Sequence, residues 1–287
     1  MYQDMLQLKE THVKVEGLKK TYRFLHITDA HLVLLDEKVS KERVEYETPR
    51  IGLFSRASVR SDEFFDALFS YADSHSDPED PQALDGVLLT GDILDCPTEE
   101  NLRRLGKKLA QLKIPYVYVL GNHDWSHFND YHTPHAMIAH RPVFSKWSNG
   151  NTFIHKQKIG EITFVALDDT LDYYEDGVAE TLKEVLEGEE NVFIMQHIPL
   201  YADTLHEDTV AYWKSDLNLG GKGVCVNDNW KKVQDLILEE NSPVKGLITG
   251  HLHFWHEDLI GGKVPQYITA LSAEGNARIF VMEADTV

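Results

Sequence analysis

Residues 116–124 read Tyr-Val-Tyr-Val-Leu-Gly-Asn-His-Asp, an apolar run that ends abruptly on polar groups. The alternation of β-branched and aromatic side chains after Pro115 predicts a short buried strand, and Gly121 predicts a turn at its end. In open α/β sheets, ligands bind in the crevice beyond the carboxyl ends of the strands. The polar residues that follow Gly121 are therefore candidates for a functional site.

Four other apolar runs end in the same way. They are Arg23–Ile27, followed by Asp29 and His31; Gly86–Leu89, followed by Asp92 and Asp95; Val192–Met195, followed by His197; and Gly246–Thr249, followed by His251 and His253. If the five strands lie side by side, their polar groups converge. Carboxylates and imidazoles are costly to bury together unless something pairs them. The repeated pattern therefore indicates one convergent site.

The length and composition indicate a single globular domain over residues 1–287. A chain of 287 residues can bury a sizeable core, and the repeated alternation of strand and helix patterns favours one domain over two. Hydrophobic residues at 42% and charged residues at 26% are ordinary for a globular protein. The formal net charge of -19 opposes the binding of a long nucleic acid, although a small anion can still enter a local positive site.

The compartment is predicted from the N-terminal segment and the cysteines. Residues 1–20 contain no continuous apolar stretch, so neither a signal peptide nor a membrane span is expected there. Cys96 and Cys225 fit no disulfide framework and no thiolate zinc site, and both are expected to be reduced. These features predict a cytoplasmic protein without a membrane partner.

Periodic apolar residues predict the remaining regular elements. Helices are expected at residues 61–74, 98–113, 179–186 and 228–240, and further strands at residues 161–167, 266–270 and 277–282. Residues 11–15 alternate like a half-exposed strand. The simplest interpretation pairs them in a hairpin with the strand that leads to Asp29.

Two stretches are predicted to be irregular. Residues 36–60 are polar and are expected to form a long loop near the site, in which Arg50, Arg56 and Arg60 either clamp an anion or, as is commoner, are solvated. Residues 201–223 are expected to form either a lid on the substrate side or a surface loop. Four histidines without regular spacing are interpreted as surface or packing residues: His127, His132, His135 and His140.

Seven nitrogen and oxygen donors lie at the predicted strand ends. They are two carboxylates, four imidazoles and one amide oxygen: Asp29, Asp92, His31, His197, His251, His253 and Asn122. One tetrahedral ion needs fewer ligands, whereas two ions about 3.5 to 4 Å apart that share a carboxylate would use all seven. His251 and His253 can bind one ion from an extended backbone or two ions from a turn. Without a thiolate, the set suits iron, manganese or zinc.

These motifs together resemble the calcineurin-like metallophosphoesterase superfamily. The resemblance covers residues 23 to 282 and rests on Asp29-x-His31, Gly91-Asp92-x-x-Asp95, Gly121-Asn122-His123-Asp124, His197 and Gly250-His251-x-His253. The joint pattern is highly specific for the superfamily and much less so for any substrate. It implies an α/β (α+β) fold, a four-layer α-β-β-α sandwich with a dinuclear metal site at the C-terminal ends of the strands.

The resemblance also implies roles for individual residues. By position, the ligands of a first metal are Asp29, His31 and His253, the ligands of a second are Asn122, His197 and His251, and Asp92 bridges the two. His123 resembles a non-ligand histidine that hydrogen-bonds the phosphate or protonates the leaving oxygen. Asp95 would orient His123, and a helix-capping role is its alternative.

The function implied is hydrolysis of a small-molecule phosphoester, for example a nucleotide ester, by in-line attack of a hydroxide that bridges two metal ions. A phosphodiesterase is ranked ahead of a phosphomonoesterase. Protein phosphatases of the family carry an arginine where this chain has Cys96, which disfavours protein dephosphorylation. The acidic composition disfavours a nuclease, and the complete set of donors disfavours a non-catalytic scaffold. No sequence feature indicates the oligomeric state.

Overall fold

The computed structural model describes residues 2–35, 38, 40–126, 133–223, 225 and 227–285 of the chain. His127 and His132, interpreted above as surface or packing residues, lie outside the described residues. None of the helices in these ranges has the length and apolar content needed to cross a membrane.

Strands and helices alternate along most of the chain. The strands are β1 (Gln7–Val15), β2 (Tyr22–Ile27), β3 (Ser55–Arg56), β4 (Val59–Arg60), β5 (Gly86–Thr90), β6 (Tyr116–Val119), β7 (Ile154–Ile159), β8 (Ile162–Leu167), β9 (Val192–Met195), β10 (Val244–Thr249), β11 (His256–Ile260), β12 (Val264–Ile268) and β13 (Asn276–Ala284). The helices are α1 (Lys41–Leu53), α2 (Ser61–Ser74), α3 (Glu99–Gln111), α4 (Asn122–Trp125), α5 (Pro134–Ser145), α6 (Val178–Leu186), α7 (Asp203–Trp213) and α8 (Asp228–Leu238). Two short 3-10 helices span Gln3–Met5 and Ser272–Glu274.

Two sheets carry the fold. The first has the strand order β1-β13-β2-β5-β6, and the second has the order β11-β12-β10-β9-β8-β7. Strands β2, β5 and β6 are parallel to one another, and so are β8, β9, β10 and β12. Parallel neighbours point the same way, so the carboxyl ends of β2, β5 and β6 meet at one edge, and those of β9 and β10 meet at an edge of the second sheet.

Apolar side chains fill three layers of contact around these sheets. Between the sheets, the rings of Phe24 and Phe164 meet edge to face with centroids 4.9 Å apart. A second cluster, which includes Phe65 and Leu105, packs helices α2 and α3 against the outer face of the first sheet. A third, which includes Trp230, packs α6 and α8 against the second sheet. The predicted four-layer α-β-β-α order is confirmed.

The predicted hairpin of residues 11–15 is wrong. β1 pairs in parallel with β13, and β13 separates β1 from β2. The alternation did identify a half-buried strand, because Val13 and Val15 are buried while His12 and Lys14 are exposed. A period of two residues reports which face is buried, but it carries no information about a partner strand from the far end of the chain.

The prediction of a long loop over residues 36–60 is also wrong, because α1, β3 and β4 occupy most of it. α1 is polar and contains Pro49, so it lacks the apolar period that predicts a helix. The first half of the irregular stretch 201–223 is α7, which buries only two of its side chains, Leu205 and Thr209.

The remaining predicted elements are confirmed, with ends within two residues of the expected ones. β7 and β11 were not predicted. Both are edge strands of the second sheet and are rich in charged or polar residues, which hides them in a search for apolar runs.

A buried polar contact joins the two sheets near their functional edge. His26 of β2 is fully buried, with Nδ1 2.8 Å from Thr269 Oγ1 and Nε2 2.6 Å from Thr90 Oγ1. Burial, helped by the positive charge of Arg278, lowers the pKa of His26 to about 3. The imidazole is therefore neutral in the folded protein throughout the ordinary pH range.

This neutral histidine makes the fold sensitive to acid. In the unfolded chain His26 has an ordinary pKa of about 6.5, so below that pH the unfolded state binds the proton first and the free energy of unfolding falls. We expect His26 to account for a loss of about 1.4 kcal/mol between pH 7.5 and 5.5. His26→Gln, which cannot titrate, should lose that much less stability in urea unfolding at the two pH values. Equal losses in the two proteins would contradict this origin.

Candidate metal centre

The ends of five strands bring the predicted donors together. Asp29 and His31 follow β2, Asp92 follows β5, Asn122 follows β6, His197 follows β9, and His251 and His253 follow β10. All seven residues are buried or partly buried. The convergence expected from the repeated sequence pattern is therefore present in the fold.

Asp29, His31 and His253 form one group of facing donors. Asp29 Oδ1 lies 3.2 Å from His253 Nε2 and 4.0 Å from His31 Nε2. The two imidazole Nε2 atoms are themselves 3.2 Å apart. Three donor atoms directed at so small a space from three side chains can hold one metal ion.

Asp92 lies between this group and a second one. Its Oδ2 is 3.2 Å from His197 Nε2 and 4.0 Å from His31 Nε2. The His197 ring in turn meets the His251 ring nearly at right angles, with centroids 5.1 Å apart. Asp92 thus lies between the two groups of donors, within 4.0 Å of a histidine of each.

The backbone of the centre is strained at the donors themselves. Asp29, His31, Asp92, His251 and His253 have φ values of 50°, 39°, 50°, 72° and 65°. Left-handed φ at a residue other than glycine costs of order 1–3 kcal/mol and clusters at functional sites. His251 and His253 do not continue an extended strand, so the turn that could direct them to different ions is the one observed.

Two glycines let these turns approach each other. A Cβ atom on Gly121 would lie 2.2 Å from Asp92 Oδ1, and one on Gly250 would lie 1.9 Å from Thr28 Oγ1 and 2.5 Å from Asp29 Oδ2. Any larger residue would displace a donor carboxylate. The glycines that open the sequence motifs are therefore required by packing against the metal-binding side chains.

Charge is concentrated where water is excluded. Asp29 and Asp92 are 0% and 2% exposed. Burial would raise the pKa of Asp29, but the contact with His253 outweighs it and lowers the pKa to about 2. For His197 the directions are reversed: burial alone would lower its pKa, but the negative charge of Asp92 raises the pKa to about 10. The carboxylates are ionised and favour a positive charge between them.

Four buried side-chain atoms at the centre make no hydrogen bond of good geometry among the described residues: Asp29 Oδ1, Asn122 Oδ1, His197 Nε2 and His251 Nε2. Two of them have only an ion-pair contact at 3.2 Å, Asp29 Oδ1 with His253 Nε2 and His197 Nε2 with Asp92 Oδ2. Buried polar atoms are nearly always paired, because an unpaired one costs about 1–3 kcal/mol. All four belong to the predicted donor set, and they come from four different strand ends. The residues present therefore fit metal ions.

Beside the donors lies a cluster formed by His123, Asp95 and Arg50. His123 Nδ1 is 3.4 Å from Asp95 Oδ1 and 3.3 Å from the Asp95 carbonyl oxygen. The same Asp95 Oδ1 is 3.0 Å from His31 Nδ1. Arg50 of α1 donates to both carboxylate oxygens of Asp95. Burial would raise the pKa of Asp95, but these hydrogen bonds hold it well below its usual value.

The three arginines of residues 36–60 thus have different environments. Arg50 reaches the centre through Asp95, whereas Arg56 donates to the Met5 carbonyl oxygen and packs over the Phe64 ring. Arg60 forms an ion pair with Asp62 at the start of α2. A common cationic clamp is not formed.

The calcineurin-like phosphoesterase profile (Metallophos) matches residues 22–254 of the chain. The matched range includes all seven donors, together with His123 and Asp95. The chain belongs to the calcineurin-like phosphoesterase family. It is accordingly a metal-dependent phosphoester hydrolase.

Solved structures of phosphatases are similar to this phosphoesterase. A dimetal phosphatase from Danio rerio superimposes with a TM-score of 0.55 at 15% sequence identity, over 89% of each chain. A purple acid phosphatase from yellow lupin (Lupinus luteus) gives a TM-score of 0.49 at 13% identity, over 93% of this chain and 45% of that one. At such identities the likeness to the Danio rerio protein supports the fold alone. No curated protein sequence matches the phosphoesterase.

Two further carboxylates of the phosphoesterase support the donor turns and were not predicted as site residues. Asp124 accepts the Gly121 N–H and the Leu94 N–H, both at 2.8 Å. Asp169 accepts the backbone N–H groups of His197 at 3.3 Å and Ile198 at 2.9 Å. The signal was in the sequence, because Asp124 closes the Gly-Asn-His-Asp motif and Asp169 follows strand β8.

Metal analysis tests the centre directly. After reconstitution with manganese, iron or zinc, the phosphoesterase should hold about two ions per chain, because seven donors converge and Asp92 lies between the two groups. His253→Ala should lower that content, since it removes a donor 3.2 Å from Asp29. Arg60→Gln, which changes an ion pair outside the centre, should not. Elemental analysis that found one ion or none in the reconstituted wild type would contradict a dinuclear centre.

Proposed function

We propose that this phosphoesterase hydrolyses small-molecule phosphodiesters at a dinuclear centre. In the proposal one ion is held by Asp29, His31 and His253, the other by Asn122, His197 and His251, and Asp92 is shared. The observation that supports it most is the set of four buried donor atoms that make no hydrogen bond among the described residues, because each lies at a different strand end. A single ion would leave some of them unsatisfied.

The donor set bears on the choice of metal. Imidazoles, carboxylates and an amide oxygen without a thiolate suit manganese, iron or zinc. Bound there, two such ions would supply a nucleophile near neutral pH and neutralise charge on the phosphoryl group. The chain itself holds the donors rigidly, through the strained turns and the carboxylates that bind their backbone.

His123 is the proposed catalytic side chain. Its Nδ1 faces Asp95, which leaves Nε2 as the nitrogen that can meet a substrate. Its backbone N–H donates to Asp92 Oδ1 at 2.7 Å, which ties the histidine to the centre of the donor set. From this position His123 can hydrogen-bond a phosphoryl oxygen or protonate the leaving oxygen, and Asp95 orients it.

An exposed aromatic ring beside the donors supports a diester substrate. The Trp213 ring lies 5.3 Å from the His253 ring. Trp213 is held by a hydrogen bond from Nε1 to the Leu252 carbonyl oxygen, yet remains 37% exposed. Such a surface suits an uncharged ester substituent. Phe54 also stacks on a donor, His31, but it is buried and belongs to the core.

Electrostatics favours the same choice. A diester carries one negative charge near neutral pH, whereas a monoester approaches two. A protein with a formal net charge of -19 repels the more highly charged substrate more strongly. The same charge disfavours a long nucleic acid as the substrate.

We also propose that the chain is one domain and acts in the cytoplasm. The apolar cluster between the sheets draws on strands from both, which supports one folding unit. Cys96 and Cys225 are both buried and are not joined by a disulfide bond, which suits a reducing compartment.

Paired substrates test the ester class. With added manganese, bis(p-nitrophenyl) phosphate should be hydrolysed faster than p-nitrophenyl phosphate, because the exposed Trp213 ring can pack against the second ring. Trp213→Ala should raise KM for the diester, whereas Leu259→Ala, an exposed residue of β11, should not. A monoester cleaved many times faster than the diester by the wild type would reverse the assignment to a monoesterase.

Substitution of His123 tests the catalytic role. His123→Ala should lower kcat by about 10² to 10⁴ while leaving the metal content intact, because His123 serves the phosphoryl group and binds no ion. If it donates a proton, the loss should be smaller for an aryl leaving group than for an alkyl one. Asp95→Asn should give a smaller defect in the same direction. Wild-type activity in His123→Ala, or loss of an ion with the activity, would show that the role is misassigned.

A further inference from the structure

Arg50 makes a paired contact with Asp95, a carboxylate outside the set of seven predicted donors. It lies in the last turn of α1, and its Nε and Nη2 atoms donate to Asp95 Oδ2 and Oδ1. A forked contact of this kind fixes the plane of the carboxylate as well as its position. The Asp95 side chain is fully buried, so its orientation is set by the protein and not by water.

The fixed carboxylate serves two imidazoles at once. Asp95 Oδ1 lies 3.0 Å from His31 Nδ1 and 3.4 Å from His123 Nδ1. His31 presents its other nitrogen to the donor cluster, and His123 is the residue proposed to meet the phosphoryl group. A rotation of the Asp95 carboxylate would therefore disturb a metal-binding ring and a substrate-binding ring together.

Aromatic side chains also link Arg50 to His31. The Arg50 guanidinium carbon lies 5.4 Å from the Tyr46 ring centroid and 5.1 Å from the Phe54 ring centroid. The Phe54 ring stacks on the His31 imidazole with an interplanar angle of 3°. Arg50 thus contacts two neighbours of His31: the Asp95 carboxylate, which lies against His31 Nδ1, and the Phe54 ring, which stacks on the imidazole.

We propose that Arg50 is a positioning residue for phosphoester hydrolysis, which acts through Asp95 to hold His31 and His123 in their working orientations. The residue directly after Asp95 is the neutral Cys96, so the cation comes from α1, a separate segment 45 residues earlier in the chain. The inference rests on the proposed function for the role of His123, and on the donor cluster for the role of His31. It assigns a task to the polar helix α1, which the apolar pattern of the sequence does not reveal.

The alternative is that Arg50 only anchors α1, and the two roles differ in what they change. An anchor would affect thermal stability but neither kcat nor the dissociation constant of the metal in the folded protein. A positioning residue affects both, because outer contacts of metal ligands and catalytic groups are typically worth about 10 to 100-fold in affinity or activity.

The experiment compares Arg50→Ala and Arg50→Lys with Arg60→Ala. Arg60 is a matched control, because it makes the same forked contact with a carboxylate, at 2.8 and 2.7 Å to Asp62, outside the centre. Arg50→Ala should lower kcat about 10 to 100-fold with KM within about twofold, and should weaken manganese binding. Arg50→Lys should be intermediate, since lysine restores the charge without the fork. Arg60→Ala should match the wild type in both measurements.

Chemical rescue separates positioning from anchoring. Free guanidinium at low millimolar concentration should occupy the space left in Arg50→Ala beside Asp95 and restore at least part of kcat and of manganese affinity, whereas methylammonium should restore less. Wild-type kcat and manganese affinity in Arg50→Ala, or losses that guanidinium leaves unchanged in a variant with native circular dichroism, would overturn the proposal. If Arg50→Ala fails to fold, Arg50→Lys decides by the same two measurements.

Failure of the proposed function gives a different result. In that case the wild type would cleave the monoester much faster than the diester, or would cleave neither, although manganese would still bind. The manganese dissociation constants of Arg50→Ala and Arg60→Ala would then still decide whether Arg50 positions His31.

Discussion

The structure depends on two ionised carboxylates, Asp29 and Asp92, that are held almost completely out of water. A buried anion is costly unless a cation or several hydrogen bonds compensate it. Here Asp29 Oδ2 accepts the Thr28 hydroxyl at 2.7 Å and the His251 N–H at 2.9 Å, while Asp92 Oδ1 accepts the His123 N–H. One oxygen of each carboxylate is satisfied by the protein, and the other faces the imidazoles. This division of the oxygens is what turns a buried acidic pair into a metal site.

The same requirement explains the unusual backbone around these residues. Donors can converge only if strands from two sheets end close together, and the strands must then turn sharply to avoid collision. That approach strains the backbone at Asp92 and His251, which have left-handed φ values. It also leaves no room for a Cβ atom at Gly121 and Gly250. Contacts elsewhere offset this strain, since Asp169 binds the backbone of His197 and the neighbouring residue. The turns also bind one another through their backbones, since the His31 N–H donates to the Asp92 carbonyl oxygen and the Gly250 N–H donates to the His197 carbonyl oxygen.

The donor residues of this protein could be predicted from sequence more fully than the pairing of its strands. Each donor follows a strongly apolar strand, so both the strand and the polar end are visible in a short window, and the parallel connections bring the ends together without further information. The partner of β1 could not be predicted, because β13 comes from the other end of the chain and alternation reports only a buried face. α1 was missed for a different reason, since a polar helix with an internal proline has no apolar stripe. The contact of Arg50 with Asp95 was missed with it, because an ion pair leaves no periodic trace in sequence.

These differences follow from what each part of the site has to do. The strand ends carry buried charges that must be compensated, so their residue types and spacing are tightly constrained and can be recognised in the sequence. The helices beside the strand ends, α1 and α7, are largely solvated and need only a few contacts with them, such as Arg50 with Asp95 and Trp213 beside His253. These helices have a weak sequence signal because few buried contacts place few constraints on their residue types. The two sides differ in what they contact. Arg50 of α1 binds Asp95, which lies against His31 and His123, so a change in α1 reaches two histidines through one carboxylate. α7 contacts the centre through the Trp213 ring beside His253, so a change there reaches one donor by ring packing and leaves the Asp95 contacts in place.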